Sequence, residues 1–195
     1  MTKSNLKKEI VPVLFLTSVV CISVIFLYGT NSVTEEYIEN AKNDAVKSML
    51  KEQFTEMDDY SYDEKLDFYT VFLNGEIVGY AFIAVANGYG GPIELIVALE
   101  SNFLQEDEII IHGISVVSHS ETPGLGEKIV EASFSDQFTG INFNDVALTR
   151  DGGNIDAISG ATISSSAVVN TVFNTVKEKA DIIRENINSN NEEEG

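Results

Sequence analysis

From Ile10 to Tyr28 the chain passes through 19 positions, IVPVLFLTSVVCISVIFLY, without an Asp, Glu, Lys or Arg, close to the roughly 20 residues that span a hydrocarbon core. The run predicts a transmembrane helix over 10–28, and it is longer than the about 7–15 apolar residues of a cleaved signal sequence. Apolar positions then recur every three or four residues at Val33, Tyr37, Ile38, Ala41, Ala45, Met49, Leu50 and Phe54, behind a capping box of Ser32 and Glu35. That pattern predicts a connecting helix within 29–57, which the charged stretch EMDDYSYDEK interrupts. Beyond it the period changes. LDFYTVFL (66–73) and EIVGYAFIAVA (76–86) are rich in aromatic and β-branched residues and flank Asn74-Gly75, a type I′ hairpin signal. IELIVALE (93–100) and EIIIHGISVVSH (108–119) supply two further strands, and four strands with sequential short connections predict an antiparallel sheet. EKIVEASF after Gly126 is helical in pattern, 135–156 is irregular, and Ala167, Val168, Val172, Val176, Ala180, Ile183 and Ile187 trace one face of a long helix beginning just after Thr162. The expected fold class is α+β: an N-terminal transmembrane helix, then a mostly antiparallel sheet flanked by helices over 58–187. Residues 1–9 precede the span, and 188–195 form an acidic tail.

Charge orients this plan. Lys3, Lys7 and Lys8 precede the apolar run while Glu35, Glu36 and Glu39 follow it, which places the N-terminus in the cytoplasm and the large domain outside. Three Lys and Glu9 lie before residue 29, so the rest holds 9 Lys and Arg against 30 Asp and Glu, a formal charge of −21. Such a surface excludes nucleic acid as a partner, because phosphate binding needs the opposite sign. Cys21 is the single cysteine, so an intramolecular disulfide and thiolate metal sites are excluded. His112 and His119 are seven apart on a predicted strand and point to opposite faces, so they cannot share an ion.

The usual catalytic motifs are absent: there is no phosphate-binding G-x-x-x-x-G-K-[ST], and GLG at 124–126 lacks the third glycine of a dinucleotide fingerprint. Three glycine-containing segments remain: GYGGPI (88–93), HSETPGLGEKI (119–129) and DAISGATISS (156–165). Each by itself reads as a turn, and Thr162 by itself reads as a helix cap. In this order behind an N-terminal anchor, however, they resemble the covalent FMN-binding domain of the G subunit of the Rnf electron-transport complex. The resemblance extends more distantly to the C subunit of the sodium-pumping NADH:quinone oxidoreductase, and it covers the anchor and the external domain.

This resemblance implies a cofactor, covalent FMN, joined through its phosphate to the hydroxyl of Thr162 by a separate FMN transferase that uses FAD as donor. Around that residue, Gly160 and Ala161 would give the modifying enzyme access, Ser159 is a further cofactor-binding candidate, and Ser164 and Ser165 would add hydroxyl donors at a helix start suited to a phosphate. Tyr89, Gly90 and Gly91, with the turn Glu121, Thr122, Gly124, Leu125 and Gly126, are the candidate lining of the flavin slot. Glu121 stands evenly between an exposed turn carboxylate and a pocket residue. No catalytic residue and no metal ligand is assigned. The implied function is a membrane-anchored flavoprotein subunit that relays electrons within an ion-translocating, ferredoxin-linked complex, its partners being the other subunits. Two other readings stay open: a flavin-free, membrane-anchored acidic module that binds a partner, and a stand-alone extracytoplasmic flavin reductase.

Overall fold

The computed structural model describes Val13 and residues 15–24, 44–104 and 108–193, with side chains described as far as 185. The chain forms two compact units, Met1–Lys47 and Ser48–Gly195. In the first, Val13 and residues 15–24 are helical, and their large apolar side chains are exposed, Phe15 at 70% and Leu16 and Ile22 at 66%. The remainder of the expected span over 10–28, and the Ser32–Glu35 capping box, lie outside the described residues. Among the described residues no helix is long and apolar enough to cross a membrane.

The second unit is built on one antiparallel sheet whose strands lie in chain order: β1 (Asp59–Asp63), β2 (Phe68–Leu73), β3 (Glu76–Asn87), β4 (Pro92–Glu100), β5 (Ile110–His119) and β6 (Ile141–Asn142). All five pairings are antiparallel. Asn74 and Gly75 both take positive φ, 53° and 82°, as a type I′ turn between β2 and β3 requires. The sheet has two strands more than the periodicity predicts. β6 is two residues long and leaves no pattern to read. β1 lies inside the charged stretch expected to be a break. An edge strand pairs on one side only and tolerates polar residues, and here Tyr62 packs on Tyr69 with ring centroids 4.7 Å apart.

β4 is covered on both faces, and Leu95, Ile96, Val97, Ala98 and Leu99 are all fully buried, which is why IELIVALE reads as a continuous apolar run rather than an alternation. Against one face lies α3 (Thr162–Glu193). Its residues Val168, Val172, Val176, Ala180 and Ile183 are fully buried and join Tyr80, Phe82, Leu95 and Val97 in one core. This is the stripe the sequence predicts, and each buried aliphatic of Val or Ile size contributes about 1.5–3 kcal/mol. On the other face, α1 (residues 44–53) ends at Gln53. The Gln53 amide donates to Ser115 Oγ at 2.7 Å and to the Ile114 carbonyl at 3.2 Å, and Phe54 stacks on His112 at 4.5 Å.

The helix expected through EKIVEASF is broken into a 3-10 turn, Gly126–Val130, and a single α turn, α2 (Ala132–Ser135), separated by extended Glu131 with ψ 140°. Ile129, Phe134 and Phe138 are all buried. In one continuous helix Ile129 and Phe134 would point about 140° apart, and the break at Glu131 lets both reach the core.

Candidate functional site

Thr162 is the first residue of α3. The turn before it passes through Gly160 in the left-handed region, φ 80°, a conformation that glycine enters without steric cost. Ser165 holds this turn from beneath: its hydroxyl donates to the Ala161 carbonyl and accepts the Ile158 N–H, both at 3.0 Å. Ser165 is fully buried and therefore fastens the loop rather than facing a ligand. The residue preceding the helix is Ala161, which has no side-chain acceptor. The N–H groups of Thr162, Ile163 and Ser164 consequently receive no side-chain cap among the described residues, and the helix dipole's positive end is left open. Read alone, Thr162 suggests a cap. The structure places it one residue inside the helix, beyond the capping position.

The other two segments close on the same place. GYGG is the hairpin loop between β3 and β4, shut by the Gly88 N–H donating to the Gly91 carbonyl at 2.9 Å, and it presents Tyr89 73% exposed. The turn after β5 is folded around the Thr122 carbonyl, which accepts from the N–H groups of Leu125 at 3.2 Å and Glu127 at 3.3 Å. Between them and the start of α3 lies a cleft of about 400 Å³, within the range of small-ligand sites. The hairpin contributes Tyr89, the turn contributes Glu121, Thr122, Leu125 and Gly126, and the helix start contributes Gly160 to Ser164. A larger hollow of about 600 Å³ lies around Tyr62, Phe68 and Tyr80, and it contains none of the three segments.

Nine of the fourteen residues singled out in the sequence line this cleft. Ser159 is exposed at its side; Gly90, Gly91 and Gly124 shape the loops; Ser165 lies below. The structure also adds residues that the sequence reading missed. Ile163 lines the cleft and is 58% exposed; its signal was its place beside Thr162. His119, the first residue of HSETPGLGEKI but given no role there, accepts the Glu121 N–H on Nδ1 at 3.2 Å.

Glu121 is 6% exposed, which resolves its even standing in favour of a buried side chain. Oε1 accepts the Gly90 N–H at 3.3 Å, while Oε2 is buried with no hydrogen-bond partner. A Cβ on Gly88 would strike Oε1, one on Gly126 would strike Oε2, and one on Gly90 would strike the Ser120 carbonyl and Glu121 Cα. Gly88 and Gly126 thus make room for a carboxylate from the same chain, and Gly90 lets the hairpin loop close on the Ser120–Glu121 backbone.

The site suits an organic phosphate with an apolar body. Uncapped N–H groups and the Ser164 hydroxyl stand at one element, and the walls carry the apolar side chains of Tyr89, Leu125 and Ile163 together with Glu121, one of whose carboxylate oxygens is unpaired. No lysine or arginine lines it, and among the described residues no cluster of His, Cys, Asp and Glu suits a metal ion.

The family model of the FMN-binding domain matches residues 88–177, a span that contains all three segments. The G subunit of an ion-translocating oxidoreductase complex from Methanosarcina acetivorans is 40% identical over 122 residues, 63% of this chain and 62% of that one. Its counterpart from Vibrio vulnificus is 32% identical over 157 residues, 75% of this chain and 70% of that one. The G subunit of a proton-translocating ferredoxin:NAD(+) oxidoreductase complex from Clostridium ljungdahlii is 29% identical over 169 residues, 84% of each chain. The matched part thus spans under two thirds of the Methanosarcina protein. Among solved structures, the C subunit of the Na(+)-translocating NADH-quinone reductase from Parabacteroides distasonis is similar with a TM-score of 0.46 and 25% identity, over 56% of this chain and 58% of that one.

Proposed function

The chain belongs to the family of G subunits of ion-translocating oxidoreductase complexes, and from that membership we propose that it is a membrane-anchored electron-transfer subunit bearing FMN esterified to Thr162. In this reading it relays electrons between partner subunits of a ferredoxin-linked, ion-translocating complex and has no soluble substrate of its own. The observation that supports it best is the meeting of three sequence-distant segments in one cleft at an uncapped helix start.

Bound FMN supplies the redox chemistry. The chain's own groups hold it: the N–H groups of Ile163 and Ser164 and the Ser164 hydroxyl suit the phosphate, and Tyr89, Leu125 and Ile163 suit the ring. With no cation in the lining and a formal charge of −21 beyond residue 28, a free dianionic phosphate is held weakly. An ester to Thr162, made by a separate transferase, keeps the cofactor where dissociation would lose it. The apolar run over 10–28 and the lysines before it support an anchor with a cytoplasmic N-terminus and an extracytoplasmic FMN domain.

Co-expression with an FMN transferase tests the central claim. The denatured band is expected to fluoresce as flavin and to gain the mass of FMN less water, and Thr162→Val to lose both. An unmodified, colourless wild-type band would overturn the ester and leave the flavin-free acidic module. Recovery of the full chain in a membrane fraction after alkaline washing tests the anchor.

A further inference from the structure

Glu121 is a built feature without a structural explanation. Its backbone is held by His119, one carboxylate oxygen is held by Gly90, and two glycines, Gly88 and Gly126, are kept bare around the carboxylate. Yet Oε2, in a residue 6% exposed that lines the cleft, bonds to nothing. A buried acceptor left unpaired costs free energy, and such groups are rare in folded proteins. If the carboxylate served only to pin the hairpin loop, Oε1 alone would do so, and nothing in the loop would require a second, unpaired acceptor beside Gly126 in the cleft wall.

The acceptor requires a donor from whatever fills the site. Oxidised flavin offers one N–H on its ring, at N3, besides the hydroxyls of its ribityl chain. Glu121 stands on the wall built by the hairpin and the turn, with the apolar ring candidates Tyr89 and Leu125. We propose that Glu121 is a flavin-binding residue whose Oε2 accepts the N3–H of the isoalloxazine ring, fixing the ring's orientation in the cleft. The inference rests on the flavin reading of this site but not on the ester to Thr162. A second consequence is electrostatic. A carboxylate against the pyrimidine half of the ring disfavours the added negative charge of reduction and so lowers the midpoint potential.

The test uses the full unmodified chain in detergent and two probes without phosphate, riboflavin and 3-methylriboflavin, the second lacking the N3 proton. Wild type is expected to bind riboflavin about tenfold tighter, the scale of one hydrogen bond to a charged group. Glu121→Ala is expected to bind both equally, and Glu121→Gln, whose single oxygen cannot serve both Gly90 and the ring, to lose most of the preference. In flavinylated material Glu121→Gln is expected to raise the midpoint potential, which a purely loop-fastening role would leave unmoved. Equal binding of the two probes by wild type, no binding of either, or a preference that survives in Glu121→Ala each overturns the proposal. A preference for riboflavin in a chain that never gains the FMN mass sustains it and overturns only the ester. Thermal unfolding of each variant identifies loss of fold.

Discussion

Thr162 occupies a position where its side chain does nothing for the fold that another small β-branched residue could not do. It stands at the first helical residue, past the cap, so Thr162→Val is expected to change unfolding free energy by less than about 0.5 kcal/mol while abolishing any covalent flavin. Denaturant unfolding beside in-gel fluorescence separates the two effects. Gly90 is the opposite case. A methyl group there meets the Ser120 carbonyl and Glu121 Cα, which are backbone atoms unable to step aside. Gly90→Ala is expected to cost about 1–3 kcal/mol and to disturb the cleft from behind, and an unfolding midpoint equal to wild type would contradict this account. At this scale the sequence revealed residue types and their order, enough to name Thr162, Tyr89, Thr122 and Leu125. It could not reveal that Glu121 is buried or that Ser165 is turned inward, because both depend on which segments meet in space.

Two elements owe their placement to polar contacts that a hydrophobic pattern does not register. Ser165 supplies the acceptor for the Ile158 N–H and a donor to Ala161. The Ala161 carbonyl also accepts the Ser165 N–H at 3.0 Å, so Ser165→Ala strands the Ile158 N–H alone, at a cost of about 1–3 kcal/mol, with unfolding midpoint and flavin attachment expected to fall together. β1 was hidden from periodicity because its tyrosines and aspartates look like a loop. Its Tyr62 hydroxyl donates to Asp67 Oδ1 at 2.8 Å, and this bond, followed by burial and the Asp67 charge, raises the phenol from the usual 10.0 to about 12. A raised folded value means the bond stabilises fully below pH about 10 and is lost as pH climbs through about 12. Alkaline titration of tyrosinate absorbance is expected to show late-ionising phenols, of which Tyr62→Phe removes one and leaves Tyr69 and Tyr80, both raised by burial. By contrast, the stripe on α3 and the Asn74-Gly75 turn were legible because each is local: one rests on helical spacing, the other on two adjacent residues with positive φ.

For the whole molecule, charge is the property that sequence states most directly and that strand pairing hides. With a formal −21 beyond residue 28, self-repulsion opposes compaction. Raising ionic strength from about 10 mM to about 150 mM shortens the screening length from about 30 Å to about 8 Å, and the thermal midpoint is expected to rise, by about 2–4 °C for each 1 kcal/mol recovered. A midpoint indifferent to salt would show that the acidic groups lie too far apart to matter. The sheet's strand order carries a different consequence. Each strand pairs with the one made immediately before it, so pairing can follow synthesis from β1 to β5. α3, which packs on β3 and β4, follows all six strands along the chain. The cleft needs residues 89, 121 and 162 together, so it comes into being only when α3 docks. If the proposed ester is made by an enzyme that reads the assembled cleft, that enzyme marks chains whose α3 has docked and passes over the rest, making the flavin a certificate of maturity as well as a source of colour.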